Sequence, residues 1–207
     1  MTTIHKLHGD SRIRDRYWPR MYPWEPGQVV TSDSFTRPVF AGYLTDATLG
    51  GGRWPYSEVD GFAVDGGVLR ASASGSVAIE LPPHDCLIEY KIAHRPDAAV
   101  TSRIWVNYIG SKARFDYVIR LTDSRIHRVL DGNTTALSTG LPEVTDGTTV
   151  GLRCEGKNLT VSLDGGVVGS GSAGSAYPDS ERRIFEVFTG GVSGDTLDIE
   201  WLKITAI

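Results

Sequence analysis

Two carboxylates at alternating positions are the side chains of this chain best spaced for chemistry. Asp198 and Glu200 stand two residues apart in Leu197-Asp198-Ile199-Glu200-Trp201, and on an extended strand that spacing puts both on one face, about 7 Å apart. Carboxyl groups at such a range can share the acid and base work of glycoside hydrolysis. The plainer account of the same pair is the solvent side of a strand. Glu58, Asp60 and Asp65 form a second acidic group in a Gly-rich turn region. They are candidate calcium ligands through carboxylate and carbonyl oxygens, but they lack D-x-D-x-D-G spacing and read first as turn-capping acids. Gly169-Ser170-Gly171-Ser172-Ala173-Gly174 spells GxGxxG. The next five residues, Ser175-Ala176-Tyr177-Pro178-Asp179, cannot begin the helix whose N-terminus would hold a pyrophosphate, so a flexible loop is expected. There is no G-x-S-x-G elbow and no HExxH among the five histidines, of which only His5 and His8 lie close together. The residues therefore assign no catalytic, cofactor-binding or metal position, and the expectation is a protein that is not an enzyme.

The elements that would position these groups are strands. Cys86, Ile88, Tyr90 and Ile92 alternate with Leu87, Glu89, Lys91 and Ala93; Phe115, Tyr117, Ile119 and Leu121 alternate with Asp116, Val118, Arg120 and Thr122; Leu197, Ile199 and Trp201 alternate with Asp198, Glu200 and Leu202. Clusters such as Pro82-Pro83-His84-Asp85, Asp131-Gly132-Asn133 and Asp164-Gly165-Gly166 separate the runs. About ten to twelve short strands, with no amphipathic stretch of helical length, predict an all-β, two-sheet antiparallel sandwich. Cys86 and Cys154 fall on different predicted strands without CxxC spacing. They read as two reduced buried thiols, or else as a disulfide across the two sheets.

With 207 residues and 40% apolar composition, the chain is long enough to bury one core as a single domain. Its formal charge of -4 is mild and dispersed, which argues against nucleic acid. No apolar run approaches the roughly 20 residues that span a bilayer, and the first residues lack a secretory pattern, so no membrane insertion is expected. The sequons at Asn133 and Asn158 are expected to go unused.

Residues 12–27 pack three prolines, four arginines and four aromatics together. Prolines forbid regular pairing, and Trp, Tyr and Arg are enriched at the centres of protein interfaces. Residues 1–30 are therefore read as an extended arm and 31–207 as the sandwich. Arg14, Arg16, Tyr17, Trp18, Arg20, Tyr22 and Trp24 are the expected docking residues, on a partner or on the open end of the chain's own sandwich. For sugar binding, aromatic faces beside planar polar groups are suitable. Trp105, Arg103 and Asn107 alternate on one strand face, with Trp54, Tyr56, Arg120 and His127 as further contributors. That face is a glycan platform, a subunit contact, or ordinary burial under a loop.

The opening from Ser32-Asp33-Ser34-Phe35 through Gly50-Gly51-Gly52-Arg53-Trp54 to Val64-Asp65-Gly66-Gly67-Val68-Leu69 resembles the concanavalin-like (laminin-G-like) jelly-roll domains of tail and fibre proteins of phages infecting actinobacteria. Thr149 to Gly166 is similar to that family's paired strands, and Leu197 to Ile204 resembles its closing strand, which returns beside the first. The resemblance implies a jelly-roll sandwich in a non-enzymatic virion structural protein assembled in the host cytoplasm, most simply a minor tail or fibre component. Its implied partners are other virion proteins, further copies of itself and host cell-envelope polysaccharide. A capsid decoration protein is the alternative, and a polysaccharide-active hydrolase the second. Hydrolases related to this fold carry E-x-D-x-x-E on one strand. Here Thr196 stands where the first Glu would be, and the pair Asp198 and Glu200 lies on what resembles a closing edge strand.

Overall fold

The computed structural model describes residues 25–36, 40–41, 57–81, 85–97, 99–107, 113–119, 123–130, 133–172, 183–190, 195 and 197–207. They form fourteen strands: β1 (Val29–Asp33), β2 (Phe40–Ala41), β3 (Ser57–Asp65), β4 (Val68–Leu81), β5 (Cys86–His94), β6 (Val100–Asn107), β7 (Ala113–Ile119), β8 (Ser124–Leu130), β9 (Asn133–Leu141), β10 (Thr149–Glu155), β11 (Asn158–Leu163), β12 (Gly166–Ser172), β13 (Arg183–Gly190) and β14 (Asp198–Ala206). All the pairings are antiparallel, and no helix occurs among the described residues. The all-β sandwich expected from alternation is what the chain adopts.

Hydrogen bonding runs in the order β12-β11-β10-β5-β14-β4-β13-β6-β7-β8-β9, and β4 belongs to both layers. Its start pairs with β14 through Leu69 and Arg70, while Ser74 to Leu81 pair with β13. β5 and β13 are three steps apart along this order, about 14 Å in a flat sheet. Yet the rings of Tyr90 on β5 and Phe185 on β13 lie 5.9 Å apart. The path therefore folds over at β4, and β12-β11-β10-β5-β14 stacks on β3-β4-β13-β6-β7-β8-β9. The core between them includes the expected inward sets Cys86, Ile88, Tyr90, Ile92 and Phe115, Tyr117, Ile119.

β14 departs from simple alternation. Its register with β5 shifts at Asp198, Ile199 and Trp201, so Leu202 and Ile204 turn into the core while Trp201 is only half-buried. The irregularity sits where the strand's other edge passes from β4, at Asp198 and Ile199, to β1, which pairs Val29 to Asp33 with Thr205 to Leu202. Serving two partners along one edge needs the extra twist that a bulge supplies. Hence β14 returns beside the first strand as expected, but it is an interior strand and not an edge.

The segment expected to be a flexible loop at Gly169 to Ser172 is instead part of β12, paired to β11. Small residues are required there because β12 lies over β9. A Cβ at Gly171 would stand 2.6 Å from Leu137 Cδ1 and 2.8 Å from Leu137 Cβ, and one at Gly169 would stand 2.8 Å from Leu141 Cδ2. Gly171→Val is expected to destabilise the fold by about 1–3 kcal/mol through overpacking. The check is a urea midpoint that falls with no change in slope. The β11–β12 hairpin turns through Asp164 (φ 49) and Gly165 (φ 82), the two positive φ values that a two-residue type I′ turn demands.

Candidate functional site

The outer face of the second layer carries an ordered row of ionisable residues. Ladder register sets Glu186 of β13 opposite Arg103 of β6, Arg103 opposite Asp116 of β7, and Asp116 opposite His127 of β8. On its other side Glu186 is opposite Ala78 of β4, itself opposite Glu58 of β3. Phe115 and Tyr117 point into the core, so Asp116 between them lies on the opposite face. That face is covered near β7: Asp116 is 7% exposed, and Val118 (8%) and Val129 (3%) are buried although neither belongs to the core cluster. A carboxylate on a covered, partly apolar floor, with an arginine and a histidine at the facing ladder positions, can hold and polarise a hydroxyl-rich ligand.

Sequence reasoning passed over Asp116, because a polar residue between two core positions looks like ordinary solvent-facing alternation. The available signal was Val118, an apolar residue on the supposedly wet side of the same strand. Arg103 does stand in the row. Trp105, opposite Ile184 and Arg114, occupies the next rung. The register shift between Trp105 and Asn107 breaks the alternation that placed Asn107 with them. The side chains of Arg103, Trp105, Asn107, Glu186 and Glu58 lie outside the described residues, as do Trp54, Tyr56, Arg120 and the arm residues Arg14, Arg16, Tyr17, Trp18, Arg20, Tyr22 and Trp24.

Asp198 and Glu200 do not form the expected couple. The Arg70 guanidinium donates to both Asp198 oxygens, Nε at 3.0 and 3.2 Å and Nη2 at 2.9 Å. Glu200 is 2.8 Å from Lys91 Nζ, and the bulge separates the two acids. Both belong to structural ion pairs. Glu58, Asp60 and Asp65 lie in the ladder of β3 and not in a turn. Among the described residues no group of three or more His, Cys, Asp or Glu is placed to hold a metal ion. Burial pushes the Tyr117 hydroxyl up to about 12, so it stays protonated at neutral pH.

Cys86 and Cys154 are buried and carry no disulfide. They face each other on neighbouring strands of one layer, so a bridge across the two sheets is excluded by topology.

A second ionic cluster ties three loops at one end of the sandwich. His94 Nε2 lies 3.2 Å from Asp195 Oδ1 and its Nδ1 3.4 Å from Asp146 Oδ2. Asp146 Oδ1 also accepts the Arg95 amide at 2.7 Å, and Asp195 Oδ2 the Asp97 amide at 2.7 Å. The bond to Asp195, opposed in part by burial and aided by Asp146, raises the His94 pKa above 6.5. The Asp97 amide, then His94, lower that of Asp195 below 3.8. Proton linkage fixes the direction of each effect. The stability due to His94 is full below pH 6.5 and is lost as pH rises through the raised value. The stability due to Asp195 is present above pH 3.8 and is lost as pH falls through the lowered one. His94→Gln is expected to abolish a melting-temperature decline above pH 6.5 of about 1–2 °C, small because the groups are exposed. Melting curves from pH 5 to 9 of both proteins check it.

No protein-family model matches the chain, and no curated protein sequence does. Solved structures do. LamAcat from Zobellia galactanivorans is 12% identical with a TM-score of 0.55, over 86% of this chain and 97% of that one. The kappa-carrageenase of Pseudoalteromonas carrageenovora, in complex with an oligotetrasaccharide of kappa-carrageenan, is 10% identical with a TM-score of 0.55, over 91% and 98%. The beta-glucanase of Bacillus licheniformis is 12% identical with a TM-score of 0.54, over 88% and 100%. These likenesses overturn the expectation of a non-enzymatic virion structural protein, whether in tail, fibre or capsid shell. The architecture is matched over 86–91% of this chain by proteins that include a carrageenase and a beta-glucanase, so a plain structural role can no longer be inferred from it. The chain has the concanavalin-like jelly-roll fold.

Proposed function

We propose that this chain cleaves a polysaccharide by glycoside hydrolysis on the outer face of β13, β6, β7 and β8. The observation that carries the reading is the buried Asp116 at the middle of the row Glu186, Arg103, Asp116, His127. The fold likeness supports it as an architecture that accommodates such chemistry, while the assignment rests on the residues.

Glu186 and Asp116 stand two strands apart, about 10 Å between backbones. Inverting hydrolysis uses carboxyl groups about 6.5–9.5 Å apart, whereas retention needs about 5–5.5 Å. With a whole strand between the two positions, we assign inversion to them. One carboxylic acid gives its proton to the glycosidic oxygen as the bond from that oxygen to the anomeric carbon breaks. The other, as carboxylate, takes a proton from the water that adds to the opposite side of the same carbon. Arg103 stands between them in the ladder and Trp105 on the next rung; an arginine suits sugar hydroxyls and a tryptophan a pyranose ring.

The test is a screen of the full chain against laminarin, lichenan, carrageenan and mycobacterial or Gram-positive envelope polysaccharide. Release of new reducing ends is followed chemically, and the anomer first formed by proton NMR. Cleavage with inverted configuration is expected. No cleavage of any of them refutes the proposed activity, and a retained anomer refutes the Asp116 and Glu186 assignment.

A further inference from the structure

We infer that Cys86 and Cys154 are a disulfide-forming pair whose bond locks β5 to β10. Cys86 opens β5 and Cys154 lies one residue from the end of β10, and the ladder sets them directly opposite one another. Both are fully buried members of the same core cluster, so both lie on the inner face of one layer. Directly opposed residues of an antiparallel ladder have Cα atoms about 4.5–5.5 Å apart. A disulfide accepts about 4.4–6.8 Å. The ladder spacing therefore suits a bond within one layer, whereas the sequence leaves the two thiols reduced or, as the alternative, bridged across the two sheets.

The surroundings favour a lock at this place. Asp85 Oδ1 already accepts the Gly156 amide at 2.7 Å across the same end of the two strands, and Ala206 of β14 is opposite Cys86 on its other side. Between the two cysteines run β6, β7, β8 and β9, which include three of the four strands of the proposed hydrolytic face. One bond would thus close a single long loop around them.

The chemistry balances with a small disulfide such as oxidised glutathione. One protein thiolate attacks its S–S bond, giving a mixed disulfide and releasing one thiolate. The second protein thiolate attacks the protein sulfur of that mixed disulfide, releasing the other. Two cysteines are oxidised, one small disulfide is reduced to two thiols, and two protons leave the protein. Because both thiols are fully buried, the reaction proceeds during folding or on opening of the strand ends.

The experiment uses the wild-type full chain, refolded from denaturant once in excess reduced glutathione and once in a glutathione redox buffer. Products are digested without reduction and mapped by mass spectrometry, and melting temperatures are recorded on the intact proteins. Expected are a single peptide pair linking Cys86 to Cys154 within one chain, and a melting temperature higher by roughly 10 °C, given a closed loop of this length. Glutathione adducts on either cysteine without the linked peptide, or links only between chains, would overturn the pairing. A linked protein that melts no higher than the reduced one would overturn the lock.

Discussion

Asp116→Asn lowers the rate of reducing-end release by about 10²–10⁴-fold, the range lost when a group that moves a proton in the transition state is removed. The substitution keeps size and hydrogen-bonding capacity but ends acid-base function. Because Asp116 is buried, the variant is also expected to lose stability, so the rates are compared well below both melting temperatures. The contrasting variant is Asp198→Asn with Glu200→Gln. Those acids are engaged by Arg70 and Lys91 on β14's side of the molecule, so turnover is expected to stay at the parental level while stability falls. If the double amide loses turnover and Asp116→Asn keeps it, the site has been put on the wrong sheet. Purified variants compared for initial rate and melting temperature decide between the two.

Phe185→Ala is expected to cost about 3–5 kcal/mol. Phe185 is fully buried, and its ring meets Tyr90 at 5.9 Å with the planes tilted by 39°, within the centroid range of attractive aromatic pairs. This contact joins the two layers, so truncation leaves a cavity in the middle of the sandwich where neither sheet can close over it. Against a total stability of about 5–15 kcal/mol, the loss is large. For a domain of this size it corresponds to roughly 6–20 °C in melting temperature. Equilibrium unfolding in guanidinium measures it directly. A change below about 1 kcal/mol would mean that the rings are not the bridge between layers.

The architecture was readable from residue types because each layer has one buried face. Cys86, Ile88, Tyr90 and Ile92 alternate with half-buried neighbours, and Phe115, Tyr117 and Ile119 are buried as their pattern requires, although Asp116 and Val118 between them are buried too. What failed depended on which strand lies beside which. The bulge in β14 exists because one edge must serve β4 and then β1, and nothing in Leu197 to Ile204 announces two partners. Gly169 and Gly171 read as loop formers, yet their lack of a side chain answers to Leu141 and Leu137 on a strand some thirty residues earlier. The facing of Cys86 and Cys154 is likewise a fact of register between distant segments. The candidate site was the least readable part: Asp116 gains its meaning from Arg103, His127 and Glu186 on three other strands, and only pairing brings those positions into one row.

A strand fourteen residues long that hydrogen-bonds first to one sheet and then to the other has a consequence for how the molecule comes apart. Neither sheet can peel away while β4 keeps its ladder in the other, so amides of β14 and of β13 should surrender their deuterium protection together, in a single step at one denaturant concentration, with no half-opened species holding one sheet intact.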